Sequence, residues 1–104
     1  MARVNQILRE IISEELVRWA DEDSRLGILT VTGVETSPDL RQATVFFDSL
    51  PPAAAATLEE GRIALQAVVN EQTRLKRTPR LSFRADPAVA AGEAIERILR
   101  QHRD

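Results

Sequence analysis

Apolar residues recur at spacings of three and four between positions 3 and 20. Val4, Ile7, Leu8, Ile11, Ile12, Leu16 and Trp19 line one side, and Arg9, Glu10, Ser13 and Glu14 fill the other. That period predicts an amphipathic helix. The run Asp21-Glu22-Asp23-Ser24 stops it. Acids at a helix C-terminus oppose the macrodipole, so this end is expected to fray. Residues 26–35 are rich in β-branched side chains and read as a strand, in which Gly27 and Gly33 mark a bulge or a close backbone approach. Thr36-Ser37-Pro38-Asp39 has turn chemistry. Residues 40–49 then alternate, with Ala43, Val45 and Phe47 facing one way and Gln42, Thr44, Phe46 and Asp48 the other. Two strands joined by a short polar turn predict an antiparallel hairpin.

Pro51-Pro52 ends the alternation, and a helical pattern runs from Ala53 to about Arg74 through Leu58, Leu65, Val68, Val69 and Gln72. Gly61 interrupts it and costs about 1 kcal/mol relative to Ala, so the helix either bends or ends there. Residues 80–85 alternate again and predict a third strand. Asp86-Pro87 is a helix start, with Asp as cap and Pro in the first helical position. Val89, Ile95, Ile98 and Leu99 form the apolar side of a last helix that reaches about Gln101. The resulting class is α+β, a three-stranded layer with helices on one face. A helical crossover before the third strand lets it run parallel to a neighbour, which makes the sheet mixed.

Composition narrows the possibilities. The chain has 104 residues, 43% hydrophobic and 29% charged, enough for one domain over residues 1–104. It has no cysteine, which rules out a disulfide scaffold, thiolate metal sites and cysteine catalysis. No apolar run approaches the ~18 residues of a membrane span. Arg9 and Glu10 interrupt what would otherwise be a leader's apolar region, so a cytoplasmic chain without a signal peptide is expected.

The net charge of −2 conceals an asymmetry. Between Arg74 and Arg84 lie five basic residues (Arg74, Lys76, Arg77, Arg80 and Arg84) and no acid, whereas residues 10–23 hold six acids against Arg18 alone. Placed near the end of the second long helix, Arg74, Lys76 and Arg77 could simply complement its dipole. That account does not reach Arg80 and Arg84, which lie beyond Thr78-Pro79 in the strand. Guanidinium groups suit phosphate forks, so the cluster reads as a polyanion-binding edge. Catalysis has no footing. The only histidine, His102, sits near the end of the chain, no glycine-rich phosphate loop follows a strand, and no cofactor or metal is expected. Trp19 continues the first helix's apolar stripe and is expected in the core. Phe46 faces away from Val45 and Phe47. It either covers a small cluster under a helix, the expected arrangement, or makes an exposed contact.

These residues resemble the ribosome-binding factor A family. The stretch Asp23-Ser24-Arg25-Leu26-Gly27, then Val34-Glu35, Ser37-Pro38-Asp39-Leu40 and Ala43-Thr44-Val45, is similar to its Asp-x-Arg-Leu-Gly, Val-Glu, Ser-x-Asp-Leu and Ala-x-Val pattern. Thr78-Pro79-Arg80-Leu81-Ser82-Phe83 resembles its later strand, Asp86 to Leu99 its closing segment, and Arg3 to Leu16 its first helix. The resemblance implies a KH-like type II domain, α-β-β-α-kink-α-β plus a C-terminal helix. It also implies a bacterial factor, not an enzyme, that binds the small ribosomal subunit and its ribosomal RNA and supports RNA processing, notably in the cold; a monomer is expected. The family carries an Ala-x-Gly kink. The matching positions here are Gly61, Arg62 and Ile63, with the glycine two places early. By the same resemblance the RNA-facing residues are Arg74, Lys76, Arg77 and Arg41, with Arg80 and Arg3. Arg25 belongs to the motif, and tying down the loop after the first helix accounts for it equally well. The acidic balance departs from what such a factor suggests. A rival reading keeps the fold and makes it a protein-interaction module, its basic edge meeting an acidic partner.

Overall fold

Seven elements follow one another in a computed structural model that describes residues 2–102: α1 (Ala2–Glu22), β1 (Val31–Thr36), β2 (Gln42–Phe47), α2 (Pro52–Glu60), α3 (Arg62–Gln72), β3 (Arg80–Ala85) and α4 (Pro87–Gln101). The sheet order is β1-β2-β3. β1 runs antiparallel to β2, with Val34 opposite Val45. β3 runs parallel to β2, with Gln42 opposite Arg80 and Phe47 opposite Ala85. The α2–α3 crossover returns the chain for that parallel pairing, so the sheet is mixed, as the pattern predicts.

One face of the sheet is apolar. Val31, Val34, Ala43, Val45, Phe47 and Leu81 meet Leu8, Ile12 and Leu16 of α1, Leu58 of α2, and Leu65 and Val69 of α3 in a single cluster. Phe47 is completely buried, its ring centroid 6.3 Å from that of Phe83. Each such side chain contributes about 1.5–3 kcal/mol by leaving water. Trp19 packs against this cluster as expected, and its indole Nε1 donates to Glu15 Oε1 at 3.0 Å.

Several expected boundaries move. The first strand begins only at Val31, because residues 26–30 have no partner strand. Asp48 N–H to Thr30 carbonyl, at 3.1 Å, is the last backbone link, and Pro51 and Pro52 then lead the chain away. Leu26 instead turns into the core, Gly27 takes a left-handed φ of 60°, and Ile28 is left exposed. Gly33 is at the expected bulge, where the β1–β2 register shifts. α1 does not stop at residue 20 but continues to Glu22. The Asp23 amide donates to the Trp19 carbonyl, and Arg25 holds the Asp23 carboxylate through Nη2 at 2.7 Å. The Arg25 guanidinium, then its backbone N–H, keeps the Asp23 pKa below the ordinary aspartate value. Arg25 thus ties down the loop after α1.

The long helix expected from Ala53 to Arg74 is two helices. Gly61 is the single residue between them, with φ −92° and ψ 3°. Its N–H donates to the Thr57 carbonyl and its own carbonyl accepts from Leu65, so the break costs little hydrogen bonding. Arg62 and Ile63, expected to be part of the kink, already belong to α3. The triplet ending on the breaking glycine is Glu59-Glu60-Gly61. Glycine is needed there for space: a Cβ would lie 2.7 Å from Trp19 Cζ3. α3 ends at Gln72, before the basic cluster, where Thr73 becomes extended. β3 and the start of α4 fall where the sequence places them. The Asp86 carboxylate accepts from the Ala88 amide at 2.9 Å and from the Thr32 hydroxyl at 2.6 Å. Beyond Val89, α4 is exposed along its whole length, its apolar side included.

Two substitutions test this framework. Gly61→Ala is expected to cost about 1–3 kcal/mol, the usual range for overpacking. Trp19→Phe, with its smaller ring, should recover part of that loss in a double-mutant cycle read by urea denaturation. The Thr32 hydroxyl, then the Ala88 amide, lowers the Asp86 pKa. A depressed aspartate stabilises the fold above its unfolded pKa and loses that contribution as pH falls through the folded value. Asp86→Ala should therefore melt below the parent at neutral pH, and the gap should close in acid.

Candidate nucleic-acid interface

Three local links gather distant residues at one end of the molecule. Asn5 Oδ1 accepts from the backbone N–H and the hydroxyl of Thr36, at 3.0 and 2.7 Å, fixing the start of α1 beside the end of β1. The β1–β2 turn closes on itself, with Ser37 N–H bonded to the Gln42 carbonyl and the Ser37 hydroxyl to Asp39. Arg80 N–H donates to the Arg41 carbonyl at 2.8 Å, joining that turn to the first residue of β3. The loop between α3 and β3 must end here as well. Thr78 donates to Asn70 Oδ1 at 2.9 Å and Pro79 is buried, which anchors it.

The six cations Arg3, Arg41, Arg74, Lys76, Arg77 and Arg80 therefore lie on segments that meet at one end of the molecule. Arg74 helps line a cleft of about 350 Å³ with Val4, Ile7 and Leu8 of α1, one turn from Arg3. Arg74, Lys76 and Arg77 stand on an exposed loop rather than a helix end, so dipole compensation does not explain them. Among the described residues Arg3, Arg74, Lys76, Arg77, Arg80 and Arg84 have no acidic partner and no side-chain hydrogen bond. Arg41 differs. Its Nε lies 3.8 Å from Asp39, whose carboxyl is lowered in pKa by the Ser37 hydroxyl and the Arg41 N–H.

The kink residues are not part of this group. Gly61 lies against Trp19, near the opposite end of a helix about 31 Å long at 1.5 Å per residue. That pole is acidic and internally paired. Arg25 reaches Asp23 and Glu60, and Arg62 reaches Glu59 and Gln66. Phe46, expected under a helix, is half-buried on the face that α1, α2 and α3 leave open, because those helices all pack on the other side. Arg84 shares that open face. Strand alternation locates both, but only the parallel register with β2 shows that they are neighbours. His102 is an exposed residue at the end of α4.

A three-stranded mixed sheet covered on one face by helices is a KH-like fold. The chain belongs to the ribosome-binding factor A family, whose model matches residues 1–99. The family consists of non-catalytic assembly factors. Ribosome-binding factor A of Rubrobacter xylanophilus is 42% identical over 103 residues, covering 95% of this chain and 84% of the relative. That of Anaeromyxobacter sp. (strain K) is 37% identical over 107 residues, with 98% and 78% covered. The crystal structure of the factor from Thermus thermophilus superposes with a TM-score of 0.70 at 31% identity, covering 79% of this chain and 91% of that one. A homology model of the Thermus thermophilus factor, fitted into a cryo-EM map of a 30S complex, gives a TM-score of 0.64 at 31% identity, with 75% and 86% covered. Among the described residues no helix is long and apolar enough to cross a membrane, and no group of His, Cys, Asp or Glu could hold a metal ion.

Because the loop cations have no acidic or hydrogen-bonding side-chain partner among the described residues, replacing Arg74, Lys76 and Arg77 together by Ala should leave the thermal melt at the parent's value. Circular dichroism across the transition checks this, and a marked loss of stability would show that they support the fold.

Proposed function

We propose that this chain binds the small ribosomal subunit during its maturation, setting the cation-lined end of its sheet on the phosphates of folded ribosomal RNA. The observation that carries the reading is the group of cations at one pole, Arg3, Arg74, Lys76, Arg77 and Arg80, which have no acidic partner among the described residues, on the frame of this family. Arg41 joins them from the neighbouring turn. A relative of similar fold has been fitted into a map of a 30S complex. The action is occupancy. The factor binds stoichiometrically, covers an immature region and supports late assembly and RNA processing without chemistry of its own. Residues 1–104 act as one unit, as a monomer, in the cytoplasm where subunits mature. The acidic pole at the far end of α1 faces away from the RNA and sets the orientation of docking.

Each phosphate bound displaces condensed counterions, so binding should weaken linearly in log-log form as salt rises. The Arg74→Ala, Lys76→Ala, Arg77→Ala protein should bind purified small subunits more weakly. Its salt slope should be shallower by about one for each phosphate left without a cation. Co-sedimentation at several salt concentrations measures both. Unchanged affinity and slope would remove this loop from the interface. Salt-sensitive self-association without RNA would favour the protein-interaction alternative.

A further inference from the structure

Because β3 alternates, Leu81 and Phe83 enter the core side while Arg80, Ser82 and Arg84 stand on the open face. The parallel register sets Arg80 beside Gln42, Ser82 beside Thr44 and Arg84 beside Phe46. The Ser82 hydroxyl lies 3.4 Å from Thr44 Oγ1, so a hydroxyl row separates the two arginines. Neither arginine has an acidic partner among the described residues. α4 does not cover this face, since it is exposed from Ala90 to Gln101.

The other flank of the half-buried Phe46 borders a cleft. It faces the β1 bulge at Gly33, where an added Cβ would meet nothing within 4 Å. The cleft, of about 620 Å³, opens there, its lining including Phe46, Gly33, Glu35, Asp86 and Pro87. Charge is sorted across the face. Glu35 stands on β1, and Asp86, which directly follows β3, reaches across to the Thr32 hydroxyl of β1, while the arginines lie along β3.

We propose that this open face is a second RNA surface that takes an unpaired stretch of two or three nucleotides. One base stacks on Phe46, and the adjoining phosphates lie on Arg84 and Arg80. Aromatic rings on an exposed sheet flanked by cations bind single strands in this way, because every base has a π-face and a duplex cannot offer one. Arg80 and Arg84 are about 13 Å apart along the strand, room for a short stretch and not for a helix. The proposal rests on the chain being a ribosomal RNA binder; it shares Arg80 with the cations that carry that reading, whereas Phe46 and Arg84 are separate from them.

The test titrates the full chain with a short fluorescent oligouridine and, separately, with a blunt RNA duplex. Phe46→Leu keeps an apolar side chain and removes the π-face, and Arg84→Ala removes an exposed side chain with no partner. Both should weaken oligouridine binding, Phe46→Leu by about fivefold or more, and leave duplex binding at the parent's level. In amide NMR spectra of the parent, oligouridine should move Phe46, Ser82 and Arg84. No binding, equal affinity in both variants, or shifts confined to residues 73–79 would overturn the open-face site. The two readings separate in the loop triple variant. Normal sedimentation with subunits removes the loop, while the oligouridine response at Phe46 and Arg84 stands or falls independently.

Discussion

The parallel pairing of β3 with β2 organises the rest of the molecule. Parallel neighbours need a long crossover, and here α2 and α3 supply it while covering the sheet's apolar face. The direction of that pairing brings the loop after α3 to the same end as the β1–β2 turn, where Arg80 N–H meets the Arg41 carbonyl. Register then decides which side chains are seen. A slip of one residue would turn Leu81 and Phe83 outward and drive Arg80 and Arg84 into the core. Burying an unpaired cation costs roughly several kcal/mol, so the hydrophobic requirement on one face enforces the display of cations on the other.

α1 gives the molecule its polarity. Its first turns lie beside the cation-lined end, and its last turn lies beside Gly61, Arg25 and Glu60. About 31 Å separates the two, several times the Debye length of about 8 Å at physiological ionic strength. Acids at the far pole are thus screened from a polyanion bound at the near one. A net charge of −2 is compatible with RNA binding for this reason: the sign that matters is the local one. The helix break belongs to the acidic pole, and its structural role is to receive the Trp19 ring. The cations Arg25 and Arg62 beside it are engaged by carboxylates, whereas Arg74, Lys76 and Arg77 have no acidic partner among the described residues.

Sequence alone determined the elements whose signals are local. The 3.6 period of α1, the alternation of β2 and β3, the Asp86-Pro87 start of α4 and the bulge at Gly33 each depend on neighbours a few positions away. They fall where those neighbours place them. The family and the basic residues were legible for the same reason, since motifs and charges are properties of the chain. Tertiary structure decided what depends on partners. Residues 26–30 have strand composition but no strand to pair with, so they form a loop. Gly61 divides two helices, and Trp19, distant in sequence, occupies the space its side chain would need. Arg25 and Arg41 are ion-paired while Arg74, Lys76 and Arg77 are not, a distinction that spacing cannot encode. Phe46 and Arg84 become neighbours only through a register set by burial on the opposite face, and α4 keeps its apolar side exposed because the core closes without it.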